Sequence, residues 1–179
     1  MTRILKSIIA IFLVIGCSSI DGFAQKEVDL SANNSFWDRV YTGGGIGFSS
    51  GTWGTQISLS PLAGYMITQK LSVGLGITYQ YYKDKFYDVD DHRYGGRVFV
   101  MQGLIYNTFL YAEYNFMNLN PAPQLEDYPR ETWTRTLIGG GLSQPLGKAS
   151  FNIMVTYDIT HDNNSPYGSP WVMGAFISI

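Results

Sequence analysis

The feature that most constrains this chain is a period of two. Phe151, Ile153, Val155, Tyr157 and Ile159 alternate with Asn152, Met154, Thr156 and Asp158. Leu71, Val73, Leu75, Ile77, Tyr79 and Tyr81 alternate in the same way with Ser72, Gly74, Gly76, Thr78, Gln80 and Tyr82. Ile57, Leu59, Ala63, Tyr65 and Ile67 oppose Gln56, Ser58, Ser60, Gly64 and Met66. This is the period of a strand whose two faces meet different surroundings. Eight such segments are expected, near residues 37–50, 53–67, 70–87, 94–105, 108–118, 131–143, 149–160 and 169–179. No stretch carries a convincing helical period. No run beyond residue 24 approaches the ~20 apolar residues of a spanning helix.

Composition says what the apolar faces meet. Charged residues are 15% of the chain and aromatic residues 15%, with 20 glycines. A typical soluble domain carries ~25% charge. A protein whose outer surface faces lipid has this balance. Lipid offers no partner to an open sheet edge, so the sheet must close on itself. The expected fold is all-β: an eight-stranded antiparallel up-and-down transmembrane β-barrel that follows an N-terminal signal peptide.

The signal peptide is expected over residues 1–24. Arg3 and Lys6 precede the apolar run Ile8 to Ile15, and Gly22-Phe23-Ala24 supplies small residues before Gln25. Val14-Ile15-Gly16-Cys17 also fits a lipobox, which would make Cys17 a lipidated terminus. Both alternatives export the chain. Cleavage after Ala24 removes Cys17, the sole cysteine, and with it any disulfide or thiolate site. It also removes Arg3, Lys6 and Asp21, which takes the formal charge from −2 to −3. No basic face points to nucleic acid. Residues 25–36 are expected as a periplasmic lead-in and 37–179 as the barrel domain.

The connections are expected to sort by length. Thr68-Gln69-Lys70, Tyr106-Asn107-Thr108 and Gln144 to Lys148 are short, whereas 86–95, 119–131 and 160–169 are longer and polar. Only Ser50-Gly51-Thr52 is short on the longer side. Outer-membrane barrels have short periplasmic turns and longer external loops, so both barrel termini are expected in the periplasm. Aromatic residues crowd the strand ends, as interfacial girdles require. Tyr79, Tyr81, Tyr82, Phe86, Tyr87, Trp133 and Trp171 are expected at the outer belt, with Tyr65 and Tyr106 at the periplasmic one.

Tyr94-Gly-Gly-Arg-Val-Phe99, Phe109-Leu-Tyr-Ala-Glu-Tyr114, Ile138-Gly-Gly-Gly141, Tyr157-Asp158 and Ser165-Pro-Tyr-Gly-Ser-Pro170 resemble small outer membrane beta-barrel or porin-family proteins of Bacteroidetes. These are similar in size to the outer membrane protein W and X groups. The resemblance spans the expected mature chain. It implies outer-membrane location, contact with outer-membrane lipid including lipopolysaccharide, and assembly by the barrel assembly machinery. It implies little about activity. Such barrels usually end on an aromatic residue, whereas this chain ends on Ile179.

The lumen of an eight-stranded barrel is just wide enough to be filled by side chains. Alternation points Arg97, Glu113, Arg135 and Asp158 inward, and their charges cancel. A lumenal polar network of these four is the candidate site, because buried charges need partners. Asp88, Asp90, Asp91 and His92 are read as a solvated acidic loop, since their spacing is not that of an EF-hand. Lys83, Lys85, Arg93 and Arg130 gather on the same side, either as partners of lipopolysaccharide phosphates or as a mixed-charge rim. Gly43-Gly-Gly-Ile-Gly47 lacks the following Lys-Ser/Thr of a phosphate loop; like Gly139, Gly140 and Gly141, it is read as permitting curvature. His161, Asp162 and Ser165 make a weak candidate set for a lipid-modifying enzyme.

No catalytic residue, cofactor or metal is expected, and the barrel is expected to be monomeric. The functional expectation is an integral outer-membrane barrel with a structural or surface-interaction role. The alternatives are a narrow channel for small or hydrophobic solutes and an outer-leaflet lipid-modifying enzyme.

Overall fold

The computed structural model describes residues 35–50, 54–85, 87–120, 129–162, 165–167 and 169–179. The expected signal peptide, Cys17, residues 25–34 of the lead-in and Phe86 lie outside them. The strands are β1 Val40–Ser50, β2 Gly54–Met66, β3 Leu71–Asp84, β4 Val89–Gly103, β5 Thr108–Leu119, β6 Glu131–Leu146, β7 Ala149–Asp158 and β8 Trp171–Ser178. Each pairs antiparallel with the next, and β8 returns to β1, which closes an eight-stranded barrel. No helix among the described residues is long and apolar enough to cross a membrane.

Alternation decides the two surfaces. On β7, Asn152, Met154, Thr156 and Asp158 are buried while Val155 and Tyr157 are exposed. On β3, Ser72 and Thr78 are buried while Leu75, Ile77 and Tyr79 are exposed. Every strand carries large apolar side chains on its outer surface, among them Ile46, Leu59, Ile77, Val98, Phe116, Ile138, Tyr157 and Met173. The buried surface holds polar groups, including Asp91, Glu113, Asn152, Thr156 and Asp158.

Three expectations need correction. The third strand ends sooner and the fourth begins sooner, at Val89, so only residues 85–88 separate β3 from β4 in place of a longer polar loop. Pairing of Tyr82 with Asp91 and of Lys83 with Asp90 puts Asp90, Asp91 and His92 in the sheet. Asp88 makes the tight turn possible by adopting a left-handed backbone, φ 53°. Second, Tyr82 and Trp133 share the faces of Gln80 and Arg135 and turn inward, away from any outer girdle; Trp133 Nε1 is buried. Third, Phe36–Arg39 is a 3-10 turn, so β1 begins at Val40 and not at 37. Ser35 N donates to Asp38 Oδ2 at 3.1 Å, and the Phe36 ring stacks on Tyr65. Long connections therefore remain only at 120–130 and 159–170.

The half of the barrel nearest the chain termini is packed. Tyr41, Leu62, Met66, Phe99, Met101, Phe109, Tyr111, Met154 and Phe176 form one buried cluster. Rings this large fit a narrow interior only where the facing residue is small. Tyr41 pairs directly with Gly64, and Phe99 with Gly74. A Cβ at either glycine would collide with the ring opposite it. Replacing Gly74 by Val is expected to cost about 1–3 kcal/mol through overpacking. Adding Phe99→Ala is expected to return part of that loss. Urea midpoints of the refolded proteins check both.

Candidate functional site

The ladder register stacks the inward charges in two layers. Arg97, Asn115 and Arg135 stand side by side on β4, β5 and β6. One step nearer the termini, Glu113 pairs with Leu137, and Leu137 with Asp158. Each arginine therefore reaches diagonally to a carboxylate below it. Arg97 Nη1 donates to Glu113 Oε2 at 3.4 Å, and Arg135 Nε donates to Asp158 Oδ2 at 2.7 Å. The two pairs are enclosed: the side chains of Arg97 and Glu113 are 12% and 3% exposed, those of Arg135 and Asp158 11% and 1%.

Neutral neighbours complete the carboxylates. Tyr111 Oη donates to Glu113 Oε2 at 2.6 Å, and Asn115 Nδ2 to Glu113 Oε1 at 3.1 Å. Thr160 gives both its backbone N–H and its hydroxyl to Asp158 Oδ1, at 3.0 and 2.7 Å. The Arg135 guanidinium lies 3.9 Å from the centre of the Tyr167 ring. Burial raises the Tyr167 phenol above its ordinary value, so it stays protonated at neutral pH. The structure thus brings Arg97 to Glu113 and Arg135 to Asp158, with Asn115 standing between the two arginines.

A second polar knot lies towards the end of the barrel away from Val40 and Ile179. The buried Asp91 accepts from Arg93 Nε at 2.9 Å, Arg130 Nη1 at 2.9 Å and Asn120 N at 3.2 Å. Arg130 also holds Asn118 Oδ1 and the His92 carbonyl. Both ends of the 120–130 connection are tied to β4 in this way. Arg93 and Arg130 are thus committed to Asp91. Lys83 bridges the exposed Asp88 at 3.0 Å. No group of three or more metal-ligating side chains occurs among the described residues. Among the described residues His161 Nδ1 is buried without a partner, and Ser165 Oγ accepts from Tyr167 N; these two residues do not pair with each other.

Asp91, Tyr111, Asn115, Thr160 and Tyr167 were not among the residues expected from sequence. Asp91 was recoverable, because it shares the parity of Arg93 and Arg97 once the alternation is extended upstream of Tyr94. Asn115 likewise shares the parity of Glu113. Thr160 and Tyr167 lie in the β7–β8 connection, where no period applies.

Between the two polar layers the barrel is hollow. A cavity of about 700 Å³ is lined by Ser58, Thr78, Gln80, Arg97, Asn115 and Tyr167, among others. It reaches past the arginine layer to Glu113, Leu137, Met154 and Phe176, the last two being members of the packed cluster. Comparison with protein-family models, with curated proteins and with solved structures finds no match to this chain.

The two ion pairs set a clear energetic expectation. Asp158→Ala strands a buried guanidinium and is expected to cost about 3–5 kcal/mol. The double change Arg135→Met with Asp158→Leu is expected to recover most of it, since an apolar pair leaves no uncompensated charge. Lys83→Ala, which breaks an exposed pair, is expected to leave the unfolding midpoint where it was. Urea titrations of the four variants check the order.

Proposed function

We propose that this protein is an integral β-barrel of a bacterial outer membrane, exported by its N-terminal segment, with a structural or surface-interaction role and no catalysis. One observation carries the reading. A closed barrel exposes large apolar side chains on all eight strands and buries carboxylates, amides and hydroxyls. In water that surface is an aggregation liability. In lipid it is the required one, because closure satisfies the backbone and the apolar belt meets acyl chains.

Further features support the orientation. Tyr79, Tyr81, Tyr94 and Trp171 stand outward near the end opposite the termini, and Tyr157 meets Trp171 edge to face at 5.0 Å. Phe36, Trp37, Tyr65 and Tyr106 cluster towards the other end. Two aromatic belts fit two membrane interfaces. With an even strand number both termini share one side, which the reading assigns to the periplasm. Outer-membrane lipid, lipopolysaccharide included, is then the immediate partner.

The packed half of the lumen favours the structural role over a channel. Tyr41, Phe99, Phe109, Tyr111 and Phe176 occupy the interior where a pore would have to run. Two results are expected. The folded chain co-floats with phospholipid vesicles and shifts its gel mobility on boiling; protein that stays with the soluble fraction overturns the membrane reading. In a planar bilayer the inserted barrel is silent; reproducible conductance steps overturn the structural role in favour of a channel.

A further inference from the structure

The barrel closes over a short seam only. Gly43 pairs with Ser178 and Gly44 with Ile177, and Thr42 and Ile179 exchange two backbone hydrogen bonds. The same register would continue to Gly45 with Phe176, Ile46 with Ala175 and Gly47 with Gly174. Those positions are not paired, although β1 continues to Ser50 in its ladder with β2 and β8 begins at Trp171 in its ladder with β7. Ile46 and Met173, 82% and 74% exposed, flank the resulting slot.

The 700 Å³ cavity reaches into this slot. It is lined by every residue from Trp171 to Phe176. Successive strand residues face opposite sides, so a cavity touching all of them passes around the free edge of β8. The lumen above the arginine layer is open sideways. Unpaired backbone is tolerated at membrane depth where it lines a cavity, and this edge lines one.

The chemistry of the cavity floor is lopsided. Glu113 and Asp158 each accept three hydrogen bonds, from Arg97, Tyr111 and Asn115 and from Arg135 and the two Thr160 donors. Arg97 Nε and Arg135 Nη2 are buried and have no partner among the described residues. Both atoms are themselves enclosed, but among the ionised side chains that line the cavity Arg93, Arg97 and Arg135 outnumber Glu113. The slot, by contrast, is flanked by Ile46, Met173 and Trp171 and suits an alkyl chain.

We propose that the cavity and slot together bind an anionic single-chain amphiphile. Its carboxylate or phosphate head sits over Arg97 and Arg135, and its alkyl chain leaves between β1 and β8 into the lipid. The cavity has the size of a small-molecule site, and guanidinium groups are natural partners of both heads. This inference rests on the membrane reading above.

The test uses the folded protein in phosphatidylcholine nanodiscs, with cis-parinaric acid as a fluorescent alkyl carboxylate and empty nanodiscs as background. Saturable binding is expected, displaced by laurate or dodecyl phosphate and not by dodecyl maltoside; the stronger competitor identifies the head. Oxidising the Ile46→Cys/Ala175→Cys protein is expected to close the slot and weaken binding at least tenfold, with recovery on reduction. Arg135→Gln/Asp158→Asn, which removes the pair without stranding a charge, is expected to weaken it about tenfold, the value of one charge-assisted bond. Absence of saturable binding overturns the proposal. So does displacement by the neutral maltoside, or affinity unchanged by the bridge. If the bridge does not form, unchanged affinity in the arginine variant overturns it. Heat-modifiable mobility of the same samples separates the failures: protein that does not insert refutes the membrane reading, and inserted protein that does not bind refutes this inference alone.

Discussion

The closed hydrogen-bond ladder is the interaction on which everything else here depends. A strand satisfies only half of its backbone groups with each neighbour, so a sheet leaves two unpaired edges until its ends meet. Eight strands close the circle at a diameter that leaves room for side chains and little more. Closure then divides the side chains by parity into a lining and an outer surface. On all eight strands large apolar side chains lie on the outer surface, while polar and apolar side chains share the lining. A slip of one residue in any ladder would exchange the two sets, so register and the distribution of polarity enforce each other.

Within that frame the lumen has two storeys with different physics. Near the termini, rings and methionines fill the interior because facing glycines leave room for them. Above lies a polar storey, where charges are tolerated because each finds an opposite charge one diagonal away. The boundary is sharp: Phe99 and Glu113 pair directly, as do Gly76 and Arg97 in the next layer. The short β1–β8 seam falls at the same boundary. Pairing holds where the core is packed and stops where the cavity begins.

Legibility in the sequence followed periodicity. Strands β2, β3 and β7 were readable because large apolar and small polar residues alternate without interruption. The start of β4 is not legible, because Asp90, Asp91 and His92 look like a loop by composition, whereas their partners on β3 hold them in the sheet. Tyr82 and Trp133 were assigned by residue type to an outer girdle, and parity turned them inward. Parity also picked out Arg97, Glu113, Arg135 and Asp158 as inward groups, but could not say which arginine meets which acid.

By itself the sequence determined the period, the number of strands and the parity of Arg97, Glu113, Arg135 and Asp158, because these are properties of a strand that repeats every two positions. Only the tertiary structure decided the pairings. Which residues meet depends on the stagger between neighbouring strands, and stagger is set by the turns and by how side chains fit across the lumen. That is why Arg97 sits beside Asn115 and over Glu113, and why the pairing of β1 with β8 stops above Gly44. Each is a contact between segments remote in the chain, where no local pattern carries the information.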